Sequence, residues 1–266
     1  MTDVPTRSPR TEPRFAAAGA THRGLVRSVN EDAMLDRGDI GLWLVADGVG
    51  GAAAGDWASA QVTESFRDLG AITDPRELAA EVRARLDATN ARLNARGDET
   101  GGTPVATTVV LLLIRGWQFT CFWIGDSRAY LLRAGKFVQL TRDHSEVQEL
   151  IDSGALTPEA AARHARANVI TRALGAAFIA EIDTVSGLVH PGDHFLLCTD
   201  GLTKMIADGD IRALLMDGDQ SSVAASLVAG ALAAGGQDNV TVMSIRCEGV
   251  DGTGDQPTEG PDGGSI

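Results

Sequence analysis

Apolar positions near the middle of the chain come in short bursts with strand periodicity. The longest, VATTVVLLLI at 105–114, is continuous and β-branched, the pattern of a strand covered on both faces. After the turn residues Arg115 and Gly116 comes WQFTCFWIG at 117–125, where Trp117, Phe119, Cys121 and Trp123 share one side at period two, so the two segments read as a hairpin. Shorter strands are predicted at 14–20, 32–36, 40–46, 128–133, 136–140, 183–189, 194–199 and 240–247. Helical spacing is confined to particular intervals. Ala58, Val62, Phe66 and Leu69 lie on one helical face, and Leu78, Val82, Leu86 and Leu93 make a second, looser one. Asp74, Pro75 and Glu77 supply that second helix with an N-cap, a first-turn proline and a capping-box acid. A third helix is predicted at 219–234 through Val223, Leu227 and Ala231. Runs of strands broken by a helical pair point to antiparallel sheets with helices packed outside, an α+β arrangement.

Residues 1–13 are polar and proline-containing, and 248–266 are acidic and rich in Gly and Pro, so both are expected to be flexible tails. Between them no linker-like shift in composition interrupts the pattern, which predicts one domain over 14–247. The net charge of −13, without clustered Lys or Arg, argues against nucleic-acid binding and permits a carboxylate-rich metal site. Cys121, Cys198 and Cys247 all sit among apolar residues without ligand spacing, as buried thiols of a reducing compartment do. The N-terminus lacks the apolar run of a signal peptide, and no stretch reaches the ~18 apolar residues of a membrane span. A cytoplasmic location without a membrane partner is expected.

Four short segments place an acid at the end of an apolar strand, beside a glycine or turn: RSVNED (27–32), VADGVGG (45–51), LLCTDGLT (196–203) and GGQDNVTV (235–242). Asp-Gly alone is a common turn dipeptide. Asp47 and Asp200, however, directly follow strongly apolar strands, where a carboxylate is costly unless paired or bound to a cation. Carboxylates and backbone carbonyls are hard ligands suited to Mg2+ or Mn2+, and the absence of a His/Cys cluster argues against zinc. Two such cations ~3.5–4 Å apart can lower the pKa of a shared water and aim it at phosphorus.

The ordered series RSVNED, VADGVGG, WIGDSRAY, LTRDHS, NVITRALG, CTDGLT and GGQDNVTV, running from Phe15 to Cys247, resembles the protein phosphatase 2C family, the metal-dependent PPM-type serine/threonine phosphatases of bacteria. The resemblance implies a four-layer α/β/β/α sandwich of two antiparallel sheets flanked by helices, with the strands ending in Asp47 and Asp200 converging on one cleft. It implies that Asp47 bridges two metals, that the Gly48 carbonyl reaches one of them, and that Asp200 and Asp238 complete the pair. Glu31 would act through water on the metals and Asp32 would support that shell by hydrogen bonding. Asp126, with Asp200, matches the position of a third, weaker ion. Arg27 matches the phosphate-binding arginine, its planar fork suited to two phosphate oxygens, and is expected to leave metal affinity untouched. Asn239 either orients a water on the metals or plays a plain turn role.

Val49 stands where eukaryotic relatives carry a histidine after Asp-Gly, so the leaving oxygen must gain its proton from another source. Ala106 stands where a glycine often precedes the Thr-Thr pair and should be harmless in a strand. His144 would begin a flap segment at about 143–175 in a mainly structural role, and His22, His164, His190 and His194 read as surface or satisfied loop residues. The implied partners are phosphorylated proteins and a cognate Ser/Thr kinase, with the chain acting as a monomer. A pseudophosphatase or regulatory binding module of the same fold should have lost a metal aspartate, and Asp47, Asp200 and Asp238 are all present. The related branch acting on anti-sigma-factor antagonists usually lacks the arginine and the NED segment found here. A carboxylate protein serving only structure or cation storage would have no use for Arg27.

Overall fold

A computed structural model describes residues 12–49, 54–161 and 164–249. The tails predicted at either end lie almost wholly outside the described residues. Two antiparallel sheets stack face to face. The first has the order β2 (Asp32–Arg37), β3 (Leu42–Val49), β5 (Val109–Arg115), β6 (Gln118–Ile124), β9 (Asp183–Leu188), with the short β4 (Ala106–Thr107) pairing to the end of β3. The second has the order β1 (Arg14–His22), β11 (Val240–Gly249), β10 (His194–Cys198), β7 (Arg128–Arg133), β8 (Lys136–Gln139).

Alternation along the strands builds three apolar layers. On β3 and β5, Trp43, Val45, Val110 and Leu112 face inward to meet Phe195, Leu197, Met243 and Ile245 of the second sheet. Their neighbours Leu42, Leu44, Ala46 and Leu111 face outward and are covered by α1 (Gly55–Arg67) and α2 (Pro75–Glu99). This double cover explains why 105–114 reads as one apolar run. On the far side, Leu196, Cys198 and Val242 are covered by α6 (Asp208–Asp217) and α7 (Val223–Ala233). The four-layer sandwich implied by the resemblance is therefore the fold, and the tryptophan side of the predicted hairpin, with Phe119, Cys121 and Trp123, lies between the sheets. Asp74 caps α2 as predicted, accepting the amides of Arg76 at 2.7 Å and Glu77 at 3.4 Å.

Three local features depart from the sequence pattern. The 105–114 strand is interrupted at Thr108, whose hydroxyl takes the place of a backbone acceptor toward β3. Short helices α3 (Glu146–Asp152), α4 (Pro158–Ala161) and α5 (Asp200–Thr203), together with α6, have too few turns to show a helical stripe. β11 runs to Gly249, two residues into the predicted tail, because β1 pairs along its length. No helix among the described residues is long and apolar enough to cross a membrane.

Candidate active site

The strand ends meet at one edge of the sandwich. In the first sheet Asp32 and Asp47 stand opposite each other across the β2–β3 ladder. From the second sheet, Asp200 opens α5 just beyond β10, and Asp238 and Asn239 lie immediately before β11. Asp126 occupies the turn between β6 and β7. These acids share one electrostatic field. Burial holds the Asp47 carboxyl well above the usual carboxylate range, and the charges of Asp32, Asp200, Asp126 and Asp238 push it further. Burial raises Asp32 to about 7 against the hydrogen bonds of Thr241 and Thr199, with Asp200 and Asp238 adding to the rise. Asp126 is likewise pushed up to about 7, first by burial and then by Asp200.

Hydroxyls and close glycine contacts fix the backbone here. Thr107 Oγ1 donates to the Asp47 carbonyl at 2.9 Å, and the Asp47 amide donates to Thr108 Oγ1 at 3.1 Å, which is itself 2.7 Å from Ser127 Oγ. Both faces of the Asp47 peptide are thereby held. Thr199 Oγ1 donates to Asp32 Oδ2 at 2.8 Å, joining the two sheets. A Cβ on Gly55 would lie 2.4 Å from Glu31 Oε1 and 3.0 Å from the Gly48 carbonyl oxygen. Glycine at 55 thus lets the carboxylate and the carbonyl approach the same spot above the start of α1.

Asn239 is engaged by backbone groups at both ends of its side-chain amide. Its Oδ1 accepts the Glu31 amide at 2.8 Å, and its Nδ2 donates to the carbonyls of Arg23 and Val29, each at 2.9 Å. With both ends of the amide engaged by backbone, Asn239 anchors the 23–31 loop to β11 and has no donor left for orienting a water. Arg27, on that loop, is half exposed and donates to Asp238 Oδ2 at 2.9 Å. Through Asp238 it touches the acidic cluster. Val49 is partly exposed beside the site and offers no proton.

The donor chemistry suits a hard divalent cation. Asp32 Oδ1 and Asp200 Oδ1 are buried carboxylate oxygens without a hydrogen-bond partner, an arrangement stable only if a cation or proton meets them. Among the described residues no three carboxylate, imidazole or thiolate groups are closed into a ligand cage. Like charges repel, and two carboxylates are drawn toward basic side chains: Asp238 to Arg27, and Asp200 to Lys204, whose Nζ pairs with Asp200 Oδ2. Lys204 was not anticipated from sequence, nor were Thr107, Thr108, Ser127 and Thr199. The Thr-Thr pair and the lysine four residues after Asp200 were their signals.

The histidines stand apart from the acids. His144 is buried, stacks on Trp123 at 6.2 Å between ring centroids, and accepts the Gly125 amide on Nδ1 at 3.2 Å. The proton therefore sits on Nε2, facing Asp183 at 3.1 Å, and the ring acts as a brace for the turn before Asp126. His194 is corrected from surface to core. It lies buried on β10, 2.6 Å from Ser244 Oγ, where burial lowers its pKa to about 4.

Comparison with known proteins agrees with this architecture. The Protein phosphatase 2C profile matches residues 18–232. The serine/threonine protein phosphatase PstP of Mycobacterium tuberculosis is 37% identical over 231 residues, which are 86% of this chain and 44% of that protein, so the chain spans less than half of that relative's length. The serine/threonine phosphatase stp of Listeria monocytogenes is 32% identical over 235 residues, 85% of this chain and 93% of that protein. Among solved structures, PppA, described as a key regulatory component of T6SS in Pseudomonas aeruginosa, superposes with a TM-score of 0.84 at 40% identity, covering 89% of this chain and 99% of that one. The PstP catalytic domain in complex with two manganese ions superposes with a TM-score of 0.80 at 35% identity, covering 88% and 98%. With the profile spanning most of the sandwich and these relatives sharing its extent, the chain belongs to the protein phosphatase 2C family.

Proposed function

We propose that this protein hydrolyses phosphoserine and phosphothreonine in proteins, using water activated by Mn2+ or Mg2+. The observation that carries the reading is the convergence of Asp47, at the end of β3 in one sheet, with Asp200 and Asp238, beside β10 and β11 of the other, into a single field of carboxylates. Two such cations, when bound, supply Lewis-acid charge and a water acidic enough to attack phosphorus. Asp47, Asp200, Asp238 and the Gly48 carbonyl would hold them, with Glu31 beside Gly48 and Asp32 bracing the shell. Arg27, within reach of Asp238 and half exposed, would turn its free guanidinium edge to the substrate phosphate. Retention of every metal aspartate favours this over a pseudophosphatase or binding module.

The physiological role proposed is opposition to a Ser/Thr kinase in the cytoplasm. The likeness to PppA makes a kinase–phosphatase pair of a type VI secretion system the first to test. Release of phosphate from a phosphothreonine peptide with Mn2+, and its loss on chelation, checks the activity. Full turnover after metal removal, or a trapped phosphoryl-enzyme, would overturn it.

A further inference from the structure

Asp126, in the turn that joins β6 of the first sheet to β7 of the second, and Asp200, at the start of α5 beyond β10, lie close enough to share one electrostatic field. Asp126 is 8% exposed, and its carboxylate accepts no hydrogen bond from another side chain among the described residues. The Asp200 charge adds to the cost of its burial, and Lys204 offsets it. Lys204 follows Asp200 by one helical turn, the spacing that brings two side chains onto one face. Its Nζ pairs with Asp200 Oδ2, its amide donates to the Asp200 carbonyl at 2.9 Å, and its charge is felt by Asp126 and Asp238 as well. The start of α5 packs closely on the residues before β11, since a Cβ on Gly201 would lie only 1.8 Å from the Asn239 carbonyl oxygen. The pairing with Asp200 places the ammonium where both Asp126 and Asp200 feel its positive charge.

We infer that Lys204 is a built-in counter-cation for Asp126 and Asp200, and that it limits the cleft to two divalent ions by filling the position a third would take. This rests on the metal-dependent reading above. An ammonium and a divalent ion compete for the same carboxylate oxygens and repel each other, so both are not accommodated at this pair. The lysine, being covalently tethered, wins at ordinary metal concentrations.

Calorimetric titration of the full chain with Mn2+ after chelation and dialysis tests this. Wild type is expected to take two equivalents, Lys204→Met a third, and Lys204→Met combined with Asp126→Ala two again. Lys204→Arg, which keeps the charge, should remain at two. Lys204→Gln is a second neutral variant that decides the matter if Lys204→Met fails to fold, as judged by its melting curve. A third equivalent in wild type, or only two in a folded neutral variant, overturns the assignment. Failure of the underlying reading looks different: wild type would bind no Mn2+, or Asp47→Ala would keep both equivalents.

Discussion

Asp47 and Asp32 reach the cleft from the first sheet and Asp200 and Asp238 from the second, and the fold treats the two pairs differently. Among the described residues no basic side chain pairs with Asp47 or Asp32, and both carboxyls are held protonation-prone by burial. Asp200 and Asp238 each hold a basic partner, Lys204 and Arg27. On the proposed function, the first pair is an electrostatic load that a bound cation would relieve. On the same reading, in the second pair a cation would compete with a basic side chain already in place.

The sharpest break of this comparison is Asp47→Asn beside Asp238→Asn. Both should lower kcat/KM by more than the ~10- to 100-fold typical of outer-shell changes at metal sites. In chelator their stabilities should diverge. Asp47→Asn is expected to melt higher than wild type because it removes an uncompensated buried charge. Asp238→Asn should shift the melting temperature by only a few degrees at most, since a partly exposed ion pair contributes ~0–1 kcal/mol. A lower melting temperature for Asp47→Asn in chelator would refute the contrast.

Arg27→Ala comes next. Loss of a charge-assisted phosphate contact of ~2–3 kcal/mol should reduce kcat/KM roughly 30- to 150-fold. Because Arg27 pairs with Asp238, the same change should tighten Mn2+ binding, which calorimetry would read. Unchanged kcat/KM would make Arg27 a surface residue, and weakened Mn2+ binding would mean that it supports the ions rather than competing with them.

Thr108→Val tests how firmly Asp47 is held. It keeps the shape of the buried side chain and removes the acceptor of the Asp47 amide and the partner of Ser127. A cost of ~1–2 kcal/mol, or roughly 2–8 °C in melting temperature, is expected, with a smaller loss of turnover than either aspartate change. Unaltered melting would show that the clamp contributes nothing.

The smallest effect is that of pH. Asp32 and Asp126 have folded pKa values of about 7, above the ~4 of an unfolded chain, so the folded state binds more protons and stability falls as pH rises through 7. His194, lowered to about 4, works in the opposite direction, but only below its unfolded value of ~6.5. In chelator the melting temperature should therefore drop by on the order of a few degrees between pH 6.5 and 8, and saturating Mn2+ should remove the drop. A flat or rising curve in chelator would contradict the carboxylate assignment.

Much of this molecule was legible from its residues. Period-two runs located the strands because each face of a sheet meets a different environment, and Asp74, Pro75 and Glu77 marked the start of α2 because helix amides need local partners. An acid at the end of an apolar strand signalled Asp47 and Asp200 because carboxylates seldom stand there without a reason in chemistry. Local spacing did not reveal what each acid would meet. The break at Thr108, the anchoring amide of Asn239 and the burial of His194 depend on partners 61, 208 and 50 residues away. Even Lys204, only four residues from Asp200, acquires its meaning from Asp126 in the turn between β6 and β7. Residue identity and local pattern alone established which positions carry oxygen donors and that they end strands. Which carboxylates are matched by a basic side chain and which stand without one was settled only in three dimensions, because charge compensation depends on distance and desolvation, and both are set by how the two sheets pack.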